Sequence, residues 1–208
     1  MYNKQLSTPE EQEFLKSYNA DKYPRPSVTA DNLIFSFQGE NPPEILLIKR
    51  KNHPEKGKWA LPGGYANPDE TVMSAAAREL EEETHISGLP LYPVGIFSDI
   101  DRDPRSWTMT SAYVAAVDKS TLDIKADDDA ACAEWFSVKL DLQNEICTLK
   151  LCSESGEQLV STLNCRKTDT LFGAVYDISI ISDGSLAFDH SKIIASAMML
   201  FKDRGIAG

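Results

Sequence analysis

The chain has 208 residues, 42% of them hydrophobic and 25% charged, with a formal net charge of −11. That length and balance suit one full-sized core in an ordinary globular protein. The negative charge argues against sequence-independent binding to duplex DNA, which neutralises phosphates with Lys and Arg, and it is compatible with an acidic site offset by divalent cations.

In chain order, the opening MYNKQLSTPEEQ is too polar and acidic for a signal or transit peptide, and no apolar run reaches 18 residues. A cytoplasmic protein with no membrane partner is the expectation. Residues 8–18 predict a short helix capped by Thr8, with Glu11 three residues on, and DKYPRP breaks it. SVTADNLIFSF and EILLIKR predict strands separated by the turn QGENPP, and KNHPEKGKW predicts a polar loop. A helix is predicted over about 71–85, followed by strands in LYPVGIFSDI and TMTSAYVAAV and by an acidic turn before DDDAACAEWFSV. Residues 141–186 are β-prone between polar turns. SKIIASAMMLFKDRG predicts an amphipathic helix over about 190–204, with Asp189 as candidate N-cap and Gly205 past its end. Strands mixed with a few helices predict an α/β or α+β sandwich. Cys132, Cys147, Cys152 and Cys165 show no CxxC spacing and the three histidines are scattered, so free thiols are expected rather than zinc or disulfides.

The segment GGYANPDETVMSAAARELEEETHI (63–86) carries the chemistry. On a helix, Glu79, Glu82 and Glu83 are i, i+3 and i+4 and fall within about a 100° sector, which they share with Val72, Ala75 and Ala76. An apolar sector faces inward, so three convergent carboxylates need a counter-charge there, and oxygen-rich clusters suit Mg2+ or Mn2+. Glu81 points away, as a solvated residue. Arg78 stands one turn before Glu82, placed to hold it by a charge-assisted hydrogen bond.

Gly64, five residues, Glu70, seven residues, then Arg78-Glu79-Leu80-x-Glu82-Glu83-x-x-Ile86 resembles the box that defines the Nudix family. His85 departs from it, standing where that family usually has a glycine that ends the helix in a left-handed conformation. The resemblance implies an α/β/α sandwich with a mixed sheet, here with a β-rich insertion at about 141–186, in one domain spanning 1–208. It also implies a Mg2+- or Mn2+-dependent hydrolase of nucleoside diphosphate derivatives. Glu79, Glu82 and Glu83, with the carbonyl at Gly63, match its metal ligands, and Arg78 and Glu70 match supporting positions. For the general base, Glu79, the turn Asp127-Asp128-Asp129 and Glu134 are all candidates.

YPRPSVTAD, KGKWALPGGYANPDET, SDIDRDPRSWTMTSAYVA, DDAACAEWFSV and LAFDHSKII resemble the ADP-ribose pyrophosphatase-like branch, which includes Nudix regulators of NAD metabolism. In the RDPR loop, Arg102 and Arg105 are candidates to grip phosphate or ribose oxygens while Asp103 holds one of them, although a surface ion-pair cluster would look the same. Arg50, Gly63 and Gly64 complete the expected substrate contacts. Trp107 or Trp59 is a candidate to stack on adenine, with Trp59 alternatively wedged in the core. The chain ends directly after the FDH helix, so no winged-helix domain and no nucleic-acid partner are expected. The resemblance implies cleavage of ADP-ribose to AMP and ribose 5-phosphate, and a homodimer. NADH, a nucleotide sugar, a damaged nucleoside triphosphate, or ADP-ribose binding without turnover are the alternatives. Residues 141–186 are expected at a dimer interface or over the substrate pocket.

Overall fold

Side-chain alternation along strand β1 (Ser27–Ser36) organises the protein. Successive residues of a strand point to opposite faces, and here both faces are apolar: Ala30 and Ile34 belong to one buried cluster, Leu33 and Phe35 to the other. A strand packed on both sides needs a layer over each, and the computed structural model, which describes residues 8–39, 41–122, 130–171 and 173–206, supplies two helices. Helix α2 (Val72–Thr84) covers the first face through Ala75, Ala76 and Leu80. Helix α3 (His190–Asp203) covers the second through Ile193, Ile194, Ala197 and Phe201, whose ring meets Phe35 edge-on at 5.0 Å. Helix α1 (Pro9–Ser17) buries no residue, and Thr8 caps it by accepting from the Glu11 N–H.

The remaining described strands are β2 (Glu44–Arg50), β3 (Trp59–Ala60), β4 (Gly63–Tyr65), β5 (Tyr92–Phe97), β6 (Thr108–Val117), β7 (Ala130–Gln143), β8 (Ile146–Ser153), β9 (Gln158–Thr170) and β10 (Gly173–Ser182). They form one sheet in the order β10-β9-β8-β7-β2-β1-β6-β5, with β3 on β2 and β4 on β1. β1 and β6 run parallel and the other pairs are antiparallel, so the sheet is mixed and the fold is an α/β/α sandwich.

The β-prone region from 141 onward continues this same sheet, because β7 is long enough to pair with β2 at one end and with β8 along most of its length. The expectation that this region lies over the pocket is not met: no residue of β8, β9 or β10 lines the main cleft. Its inward side chains, among them Cys147, Leu149, Leu163 and Cys165, extend the core beneath α3. All four cysteines are free thiols.

The loop after β10 returns to the centre of the molecule and is tightly constrained. Gly184 has φ +62°, and a Cβ there would stand 2.4 Å from the Val160 carbonyl carbon and oxygen. Gly184→Ala is therefore expected to destabilise the fold by roughly 1–3 kcal/mol, from left-handed strain and backbone overlap together. A urea denaturation midpoint equal to that of the unsubstituted protein would contradict this.

Candidate active site

A cleft of about 300 Å³ opens where β1, β2, β4 and α2 meet the 98–107 loop and the start of α3. One wall is the glutamate face of α2. Thr71 caps that helix by accepting from the Ser74 N–H, and His85 ends it in the left-handed conformation (φ 60°), its N–H bonded to the Glu81 carbonyl. Histidine thus takes the glycine position without lengthening the helix.

Glu79 and Glu83 both line the cleft. Glu83 is 7% exposed, and one of its oxygens accepts from the Gly63 N–H at 2.8 Å. Burial pushes its carboxyl up to about 8, against that hydrogen bond, and the neighbouring Glu79 charge adds to the rise. Glu79 is also raised, by burial first, with Arg78 opposing. Its carboxylate lies against Gly64 so closely that a Cβ there would be 2.5 Å from it. A side chain at 64 would push that carboxylate aside. Glu82, expected to converge with these two, is instead exposed and bonded to Arg78 at 3.0 Å, outside the cleft lining. Like charges on one helix face repel, and the guanidinium offsets two of the three by holding Glu79 at 2.7 Å as well. Glu81 is exposed, as its direction on the helix requires.

Arg78 lies at the centre of the box. It donates to both oxygens of Glu70 at 3.2 and 2.7 Å and to the Tyr65 carbonyl at 3.0 Å, while Glu70 also accepts from Asn67. The Arg78 guanidinium holds the Glu70 carboxyl down at about 2. Arg78 therefore ties the 65–70 loop to α2 and orients two glutamates, which makes it a positioning residue.

The opposite wall carries the arginines. Arg105 is clamped by Asp103 through Nε at 3.0 Å and Nη2 at 2.7 Å, as the sequence suggested, and its guanidinium lies 5.1 Å from the Tyr65 ring and 5.6 Å from Phe188. Arg50 lies 4.9 Å from the same Phe188 ring and donates to the Pro54 carbonyl. Phe188, with φ 52°, is thus held between two cations on the cleft wall. Arg102 also lines the cleft, but it is buried and forked through Nε and Nη2 onto Asp189 at 3.0 and 2.7 Å. Asp189 in turn occupies the N-cap position of α3 without making a side-chain cap bond, because Arg102 takes its carboxylate.

Among the other sequence candidates, Trp59 is buried edge-on against Phe136 at 4.8 Å, and Trp107 is 53% exposed at the end of the 98–107 loop. Glu134 accepts from the Ser155 N–H and does not line the cleft. Asp127, Asp128 and Asp129 lie outside the described residues. Sequence reasoning missed Asp31, Tyr65, Phe188 and His190 as cleft residues. The signals for them were an aspartate inside an apolar strand and a Phe-Asp-His run just before an apolar helix.

Among the described residues, no group of three or more His, Cys, Asp or Glu side chains is gathered closely enough to hold a metal. The donors still fit a hard cation. Two carboxylates whose charged forms are penalised by burial face one cleft, and oxygen ligands of this kind suit Mg2+ or Mn2+.

The NUDIX domain profile matches residues 25–145. The chain is 43% identical over 110 residues to the ADPR responsive transcriptional repressor NtrR of Acinetobacter baylyi, a match covering 51% of this chain and 43% of the repressor, so it spans less than half of that relative's length. It is 40% identical over 124 residues to an ADP-ribose pyrophosphatase of Methanocaldococcus jannaschii, covering 60% of this chain and 68% of that protein. A MutT/nudix family protein from Enterococcus faecalis superposes with a TM-score of 0.72 at 31% identity, over 97% of this chain and 72% of that one. With the profile running through β1, the glycine pair, the glutamate helix and the RDPR loop, this chain belongs to the Nudix family.

Proposed function

We propose that the protein is a divalent-cation-dependent pyrophosphohydrolase that cleaves ADP-ribose to AMP and ribose 5-phosphate. The observation that carries this reading is the pairing of two buried-side carboxylates, Glu79 and Glu83, with the cations Arg50 and Arg105 across one cleft. A diphosphate needs both: cations to hold its outer oxygens, and acidic ligands to collect further positive charge against it. Glu79 and Glu83, the Gly63 carbonyl, and Glu82 from the rim would hold Mg2+ or Mn2+. Bound there, the ion supplies charge neutralisation and an acidified water. Arg105, fixed by Asp103, and Arg50, braced on Phe188, orient the phosphates. Asp103 serves as the brace of that pair, and Gly63 and Gly64 let the backbone and Glu79 approach closely. Glu79 is the general-base candidate that faces the cleft. The similarity to an ADP-ribose pyrophosphatase supports the substrate.

Incubation with ADP-ribose and Mg2+ is expected to release AMP, and EDTA to stop the release. Absence of AMP under those conditions would reject the substrate. The similarity to an ADPR responsive repressor favours one other reading, ADP-ribose binding without turnover, for which a tight complex that survives hours with Mg2+ is the signature. The same proposal treats 1–208 as one domain, functioning as a homodimer in the cytoplasm without a nucleic-acid partner. The net charge of −11 supports the last point. No helix among the described residues is long and apolar enough to cross a membrane.

A further inference from the structure

Asp31 sits in β1 opposite Gly63, on the cleft wall, and is only 6% exposed. Its Oδ2 accepts no hydrogen bond from any described residue. Arg102 Nη2 is 3.5 Å from that oxygen with its fork committed to Asp189, and His190 Nε2 is 3.6 Å from the other oxygen, Oδ1. The His190 Nδ1 accepts from the Leu61 N–H at 2.8 Å, so the ring proton resides on Nε2, beside Asp31. A buried carboxylate with an unsatisfied oxygen is costly and calls for a donor.

We propose that Asp31 and His190 form a hydroxyl-reading subsite, selecting nucleoside diphosphates whose second group is a sugar or other polyol. The inference rests on the hydrolase reading for the identity of the cleft. A phosphate oxygen cannot satisfy a carboxylate, since both are acceptors. A hydroxyl can, because it donates one hydrogen bond to Asp31 Oδ1 and accepts one from the His190 Nε2–H beside it.

The test is equilibrium binding by calorimetry in EDTA, comparing ADP-ribose with the ethyl ester of ADP, which lacks every hydroxyl of the second sugar. The unsubstituted protein is expected to favour ADP-ribose by roughly 10- to 100-fold, and Asp31→Asn to lose most of that preference while holding the ester as before. Equal affinities in the unsubstituted protein overturn the inference even if Asp31→Asn fails to fold. So does an Asp31→Asn protein that keeps the preference, or one whose main change is a higher Mg2+ requirement. Preference without any AMP release in Mg2+ would sink the hydrolase reading and leave the subsite standing. If neither ligand binds, the subsite falls, and the hydrolase reading is decided by AMP release in Mg2+ alone.

Discussion

Glu83→Gln is expected to lower kcat for ADP-ribose hydrolysis by about 10²–10³-fold while the protein stays folded. Glutamine keeps the shape and one acceptor oxygen for the Gly63 N–H but removes the negative charge. The sign of the stability change separates this outcome from simple damage. Burial raises the Glu83 carboxyl from its ordinary 4.5 to about 8 in the folded protein. Its contribution is therefore fully present below pH 4.5 and is lost as pH rises through about 8. Without divalent cation at pH 8–9, Glu83→Gln should melt at or above the temperature of the unsubstituted protein, and the two should converge toward low pH. A variant that is both inactive and markedly less stable at pH 8–9 would show that Glu83 holds the fold rather than the chemistry.

Asp189→Asn is expected to cost up to roughly 3–5 kcal/mol, because it leaves Arg102 buried with only Asp31, 3.5 Å away, against its charge. For a domain of this size that lowers Tm by roughly 6–20 °C. At an ordinary helix N-cap this substitution is nearly neutral, since Asn caps as well as Asp. Asp189 makes no cap bond, so the cost reads the ion pair alone. Replacing both partners, as in Arg102→Met with Asp189→Leu, should recover much of the loss. A cycle in which the double replacement is as unstable as the sum of the single ones would refute the pairing. Catalysis should fall in step with the pair, since the 98–107 loop that carries Arg105 is tied to α3 through Arg102–Asp189 and Lys192–Asp99.

Both predictions sit at the boundary between local and long-range information. The glutamate helix was legible because its determinants lie within two turns: Ala75 and Ala76 inward, and Arg78 one turn before Glu82. The strands SVTADNLIFS and TMTSAYVAAV were legible because β-branched and apolar residues cluster between turn formers. Clamping of Arg105 by Asp103 was legible for the same reason, the two being two residues apart. Helix periodicity placed three glutamates on one face and Arg78 against Glu82, without showing that this bond leaves Glu82 outside the cleft.

What the sequence by itself determined is thus the longer helices and strands, the inward face of α2 and the acidic chemistry it presents. Only the tertiary structure decided where the counter-charges go. Arg102 meets Asp189 across 87 residues, and Leu61 meets His190 across 129. Those pairings follow from sheet order and from the return of the chain after β10, which brings Phe188 between Arg50 and Arg105. Local propensity acts over a few residues, whereas the partner of a buried charge is chosen by which strands become neighbours, and that is a property of the whole fold.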